Sequence, residues 1–366
     1  MKTKILSVAF IFCSLMAQSQ FHTLKIPQPS NLVNESQRLG VTDITISYSS
    51  PSVNNRDVWN DGRVIPQNGK PIAWRTGANM NTTIHFTTDV LIEGKPLKSG
   101  TYGFHIIPKG DTYTLLFAHN SNLWGSYYLD IEKDVSLQVD VTAKPCDFSE
   151  KLDYEFLDWE ENAVTIGLEW ADKRIPFTIS VDLNKTVVES FRDELRGINT
   201  YHWQAWNDAA QWCLNHNTNL EEALEWVERS IKGGYGGFAA NKNVTNLSTK
   251  ALLLKSLNRG DELEATIQEI ARMTMSAREI NDFGAMLLRM GKYDLAISTC
   301  TEGLKNYPNN LYLLITRGVN YYYAGNISKA VKDVQKSITV APEGFKKRLG
   351  EVAEEMKAGT YKWPYM

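Results

Sequence analysis

A helical pattern that returns four times in the second half of the chain is the strongest constraint on its fold. Counting from Ala223, residues Val227, Ser230 and Ile231 share one helix face. Ala296, Cys300, Gly303 and Leu304 repeat that face, as do Ala330, Val334, Ser337 and Ile338. The run that starts at Ala265 departs from it by placing Glu269 and Arg272 on the same side. Positions i, i+4, i+7 and i+8 lie together on an α-helix. Gly284, Gly291, Ala296 and Pro308 recur thirty-four residues later as Gly318, Gly325, Ala330 and Pro342, the period of a tetratricopeptide-like helical hairpin. Such a hairpin cannot bury its apolar face alone, so hairpins stack and present a surface for partners. The stretch Gly233–Phe238 reads as a flexible loop between the first two units. Leu349, Val352, Ala353 and Met356 form the single apolar stripe of a closing helix.

The first nineteen residues read as a secretory signal. Lys2 and Lys4 precede an apolar run, Ile5 to Met16, that is too short to span a bilayer. Ala17 and Ser19 place small residues where a signal peptidase inspects them, which predicts cleavage before Gln20. No later segment is long and apolar enough to cross a membrane. Net charge is −3 and no basic block occurs, which argues against nucleic acid as a partner. Cys146, Cys213 and Cys300 remain after cleavage; Cys213 and Cys300 sit on apolar helix faces and read as buried small hydrophobes rather than bridge partners.

Residues from about 40 to 182 alternate with period two. Ile44, Ile46 and Tyr48 share a face; so do Tyr102, Phe104 and Ile106, and then Tyr113, Leu115 and Phe117. Val164, Ile166, Leu168 and Trp170 are followed by Ile175, Phe177, Ile179 and Val181. Turn residues at Glu93-Gly94 and Gly110-Asp111 separate strands, and no helical period intervenes. Short antiparallel strands with one apolar face each predict a β-sandwich with jelly-roll-like connections. His85, His105 and His119 fall on or near successive strands, but their parity and spacing form no metal-ligand pattern, and they read as surface residues.

Between Ser50 and Thr83 the alternation stops. This long segment is polar, aromatic and punctuated by Gly and Pro, the composition of a functional or self-packed loop. Its candidate ligand-binding residues are Trp59, Trp74, Arg75 and Asn79, because a guanidinium among aromatics, hydroxyls and an amide suits a carboxylate or sugar. The competing role for Arg75 is an internal staple to Asp57 or Asp61, and the sequence favours the staple. Ser50-Pro51-Ser52-Val53, Arg56, Trp59, Trp74-Arg75-Thr76-Gly77-Ala78-Asn79, Thr82-Thr83, Gly100-Thr101-Tyr102 and Trp124-Gly125 together resemble the bacterial family known as domain of unknown function 2911, over roughly residues 25–182. The chain departs from that pattern by extra residues around Asn60–Pro71. The resemblance implies export in a Gram-negative bacterium, with tetratricopeptide-like repeats in some members, and implies no activity.

The sequence therefore predicts a multidomain β + α protein: a signal peptide (1–19), an antiparallel β-sandwich (20–183), a linker or first helix (184–200), a tetratricopeptide-like α-solenoid (201–358) and a tail (359–366). The functional expectation is an exported, periplasmic, non-catalytic scaffold that binds protein partners through the helical-repeat groove. The alternative is a small-ligand or glycan-binding module at Trp59, Trp74, Arg75 and Asn79. A hydrolase or metal enzyme with unrecognised residues is the third reading. No nucleophile motif, catalytic residue, metal site or cofactor is expected.

Overall fold

The computed structural model describes residues 27–65 and 72–364, so the expected signal segment and part of the long loop lie outside the described residues. The chain divides into two compact units between Thr186 and Val187.

The described residues of the first unit form ten strands: β1 (Asn31–Leu39), β2 (Thr42–Ser50), β3 (Thr82–Phe86), β4 (Val90–Ile92), β5 (Lys95–Leu97), β6 (Gly100–Lys109), β7 (Thr112–Ala118), β8 (Val135–Thr142), β9 (Lys144–Leu157) and β10 (Ala163–Ser180). A single helical turn, α1 (Ile131–Asp134), precedes β8. One sheet has the order β1-β2-β3-β6-β7-β8 and the other β5-β4-β10-β9, with antiparallel pairing throughout. Phe104 and Phe117 of the larger sheet meet Phe177 of the smaller at 5.4 and 6.2 Å, and Tyr48 meets Tyr154 at 4.7 Å. These rings belong to one continuous core, so the sheets form a sandwich. Its connections are not those of a jelly roll. The larger sheet is a meander with one excursion, β4-β5, into the smaller sheet. Tight turns favour this path: Glu93 and Gly94 both have positive φ, the requirement of a two-residue hairpin loop.

Two strands depart from the sequence reading. β1 shows little alternation because it is a polar edge strand, mostly exposed and held by backbone pairing to β2. β10 joins two expected strands into one. Register shifts flank Ala171, whose φ is 53°, and the bulge moves the inward face from even-numbered to odd-numbered residues. Trp170 and Ile175 therefore both point into the core.

A cluster of ionisable groups ties β1 and β2 to β9. The Tyr48 hydroxyl is 2.6 Å from Glu35 Oε1 and also contacts Asp153 Oδ1. A phenol has one proton to donate, so the second contact requires a protonated carboxyl. Burial, and then the nearby charge of Asp153, raise the Glu35 carboxyl above its ordinary 4.5. A carboxyl raised in the folded state contributes stability that is complete below the unfolded value and is lost as pH rises through the folded one. Glu35→Gln is expected to flatten this dependence, so that melting temperatures of variant and wild type converge at pH 4.5 and the variant is equal or higher at pH 7.

The second unit holds α2 (Leu183–Glu194, whose first residues precede the division), α3 (Trp203–Asn215), α4 (Leu220–Lys232), α5 (Val244–Ser256), α6 (Gly260–Ala271), α7 (Ala277–Arg289), α8 (Tyr293–Asn306), α9 (Leu311–Tyr323), α10 (Ile327–Val340) and α11 (Glu343–Lys357). Consecutive pairs from α3 to α10 form four hairpins, and α11 closes the stack. Side-chain caps set several helix starts, including reciprocal boxes at Asn243/Asn246 and Ser276/Glu279. Positive φ at Gly291 and Gly325 turns the chain between paired helices. The expected linker is largely helical, because Val187, Val188, Phe191 and Leu195 provide an apolar face. Trp212 packs edge-on against Phe191 at 5.6 Å and stacks on His216 at 3.9 Å.

Ala223, Ala296 and Ala330 are fully buried, as the repeat predicts. Ala265 is exposed. In that unit Leu263, Ile267 and Ile270 carry the inward face, two residues out of the expected register, which frees Glu269 and Arg272 from the interior. Close helix approach explains the small residues. A Cβ on Gly284 would stand 2.8 Å from Thr316 Cγ2, and one on Gly318 would stand 3.2 Å from the Ala330 carbonyl. Cys213 and Cys300 are buried free thiols, pushed up by desolvation to about 11 and about 12. Residues beyond α11 return to α9: Tyr361 packs edge-on against Tyr322 at 5.5 Å, and the Trp363 amide donates to Tyr323 Oη. Ala296→Trp should destabilise the helical unit by ~1–3 kcal/mol through overpacking. Chemical denaturation of the full chain followed by helical circular dichroism measures this, and an unchanged transition would contradict the register of the third hairpin.

Candidate functional site

The described residues of the long loop between β2 and β3 are fastened by aromatic packing. Trp74 is buried and stacks on Trp170 of β10, with centroids 5.9 Å apart and planes 9° from parallel. Trp59 lies edge-on to Trp74, Trp170 and Tyr113, and its Nε1 donates to the Trp170 carbonyl at 3.0 Å. The Trp74 amide and carbonyl pair with Ile106 of β6. These tryptophans anchor the loop.

The residues after Trp74 form a tight backbone knot. Thr76 and Asn79 both have positive φ. The Ala78 amide donates to the Ser49 carbonyl, and a Cβ on Gly77 would stand 3.0 Å from that same carbonyl oxygen. Only glycine fits so close a backbone contact without displacement. Asn79 donates its side-chain amide to Ser49 Oγ at 3.3 Å, and its carbonyl accepts a bond from Arg75 Nη1. Of the four candidate residues, Trp74 and Arg75 line a common cleft; Trp59 and Asn79 are not part of its wall.

The expected staple of Arg75 to Asp57 or Asp61 does not form. Asp61 accepts two bonds from Arg63, at 2.9 and 3.0 Å. Asp57 accepts from Asn60 Nδ2. Both acids thus serve neighbours within their own turn. The Arg75 guanidinium instead reaches Asn79 and lies 5.6 Å from the Tyr127 ring centroid. It opens on a cleft of about 290 Å³ whose wall also includes Val64, Ile72 and Ser126, with no acid among its described residues. Trp124, Tyr127 and Tyr128 are exposed on the same segment.

Two residues of this region were missed by sequence parity. His105 is fully buried, and its Nδ1 lies 2.7 Å from Ser126 Oγ. Burial, and then the charge of Arg75, push the His105 imidazole down to about 4, so it is neutral at pH 7. Its strand neighbour Leu116 is also fully buried, so both faces of the sheet are covered here. The unbroken run Leu115-Leu116-Phe117-Ala118 was the available signal of a second buried face. His85 is half-buried and bonds Thr101 Oγ1 at 2.8 Å, while His119 lies 3.9 Å from Asp134. Among the described residues no group of three His, Cys, Asp or Glu could hold a metal ion.

The helical unit has an open groove of about 630 Å³ crossing three successive first helices. Gln211, Leu214 and Asn215 of α3, Leu252, Lys255 and Ser256 of α5, and Arg289 of α7 line it. Lys255 Nζ donates to the Arg289 carbonyl at 3.1 Å, and neither cation has an acid partner among the described residues.

These features define an antiparallel β-sandwich joined in one chain to stacked helical hairpins. Residues 30–179 match the family described as "Protein of unknown function (DUF2911)". No curated protein matches the chain in sequence. Among solved structures, a MamA fragment from Desulfovibrio magneticus RS-1 is 18% identical, covers 43% of this chain and 92% of its own, and has a TM-score of 0.29. A double mutant of the RS-1 MamA is 17% identical with the same coverages and score. Another MamA crystal structure is 14% identical over 45% of this chain and 85% of its own, with a TM-score of 0.32. The hairpin assignment rests on the pairing of the helices themselves.

Arg75→Ala is expected to cost no more than ~1.5 kcal/mol, the range for loss of an ordinary hydrogen bond. Breaking a buried ion pair would cost ~3–5 kcal/mol. Denaturation of the full chain followed by tryptophan fluorescence separates the two.

Proposed function

We propose that this protein is an exported, non-catalytic scaffold of the Gram-negative cell envelope that docks a protein partner on its helical hairpins. The groove on α3, α5 and α7 is the observation that carries this reading. Leu214 and Leu252 offer apolar contact, and Lys255 and Arg289 offer positive charge not already neutralised by an acid. A partner segment with an apolar residue beside an acidic one complements that surface. Export is supported by the charged start, short apolar run and small residues before Gln20.

A photo-crosslinking residue at Leu252, introduced in the full chain and activated in living cells, tests the docking role. A discrete crosslinked species is expected, and it should be lost when Lys255→Glu and Arg289→Glu are combined. An unchanged crosslinking pattern would remove the groove from consideration. The protein is expected in the periplasmic fraction with Gln20 as its first residue; an intact Met1 in the membrane fraction would refute the export reading.

A second reading, a small-ligand module in the β unit, is favoured by one observation. Arg75 lines a cleft and spends only Nη1 on a neighbour among the described residues, whereas Arg56 of the same loop commits Nε and Nη2 to the Val53 and Ser52 carbonyls.

A further inference from the structure

We propose that the β unit binds a small organic carboxylate, clamped between the Arg75 guanidinium and the Ser126 hydroxyl. The proposal rests on the ligand-binding reading of the Arg75 cleft and names what that cleft takes.

Charge makes the first selection. Arg63 and Arg75 line the cleft, and no acid is among the described residues of its wall. Arg63 is already committed to Asp61 by two bonds. Arg75 uses Nη1 for the Asn79 carbonyl, and its Nε and Nη2 have no partner among the described residues. Among the described residues this leaves Arg75 as the uncompensated cation beside apolar walls, which favours a singly charged anion.

Geometry makes the second selection. The backbone at Gly125 lies over one face of the guanidinium, since a Cβ there would stand 2.7 Å from both Cζ and Nη2. The free edge carries Nε–H and Nη2–H side by side. Two parallel donors match the two oxygens of one carboxylate.

The third donor follows from the buried histidine. His105 Nε2 is buried and has no hydrogen-bond partner. A buried lone pair without a partner is tolerated better than a buried N–H without one. The proton of the neutral ring therefore sits on Nδ1, which donates to Ser126 Oγ at 2.7 Å. With its oxygen accepting from His105, Ser126 is left with its own O–H to donate, and Ser126 lines the cleft. His105 is thus a positioning residue for Ser126. In this tautomer Nδ1 has no lone pair with which to accept the serine proton, so the pair is arranged for binding rather than for nucleophilic attack.

Size limits the ligand. About 290 Å³ bounded by Val64, Ile72 and Trp74 accommodates a ring or short chain and excludes a polymer. A doubly charged phosphate would be left with one free guanidinium and one hydroxyl, a poorer charge match than a carboxylate meets.

Ligand-observed nuclear magnetic resonance on the full-length protein tests the proposal with benzoate, its neutral isostere benzamide, and inorganic phosphate. Benzoate is expected to bind saturably, with benzamide at least tenfold weaker and phosphate failing to displace benzoate at equal concentration. Arg75→Gln should weaken benzoate at least tenfold and Ser126→Ala about fivefold, each without changing the benzamide response. If Arg75→Gln fails to fold, Ser126→Ala carries the test. Equal binding of benzoate and benzamide would overturn the carboxylate clamp while leaving a ligand cleft in place. Displacement by phosphate, or indifference of benzoate to both substitutions, would also overturn the clamp. Absence of saturable binding by both ring compounds would overturn the clamp together with the ligand-binding reading beneath it.

Discussion

The stack of Trp74 on Trp170 fixes the position of the β unit's least regular segment. A long loop has many conformations to lose, and ordering it requires a compensating burial of surface. Two indoles and Tyr113 supply much of that burial, and the paired backbone groups of Trp74 and Ile106 set the direction in which the chain leaves the stack. Arg75 is the next residue. Its place at the cleft is thus a consequence of where Trp74 is buried. The left-handed turns at Thr76 and Asn79 and the close approach at Gly77 then return the chain to β3.

Electrostatics at the cleft depends on what neighbouring acids do. Asp57 and Asp61 lie close to Arg75 in sequence, but each bonds within its own turn. Arg75 is left without an acid partner among the described residues, and burial, then the charge of Arg75, lower the basicity of His105. A neutral His105 can hold the Ser126 hydroxyl without adding a further charge beside the cleft. The groove of the helical unit shows a related feature in a different fold, since Lys255 and Arg289 stand among Gln211, Asn215 and two leucines with no acid among the described lining residues.

Close packing governs the helical unit. Gly284, Gly318, Ala296 and Ala330 sit where neighbouring helices approach, so their size is set by contact rather than by helix propensity, which would disfavour the two glycines. The second hairpin achieves the same packing with Leu263, Ile267 and Ile270. A hairpin needs an inward apolar face at the right spacing and does not need alanine at one fixed position.

The sequence by itself determined the two-part architecture, because period two and period 3.6 are properties of neighbouring residues and survive without knowledge of the fold. It also determined the buried alanines of three hairpins and the hairpin loop at Glu93-Gly94. Tertiary structure decided the rest. The bulge at Ala171 joined two apparent strands, and backbone pairing brought the polar β1 into the sheet. Covering of the second sheet face buried His105, contrary to its parity. The pairing of Arg75, the contact of Ser126 with His105 and the shift of the second hairpin's register each depend on residues distant in sequence or on competition among nearby charges. Local periodicity records which face of an element is apolar; it does not record what comes to lie against that face.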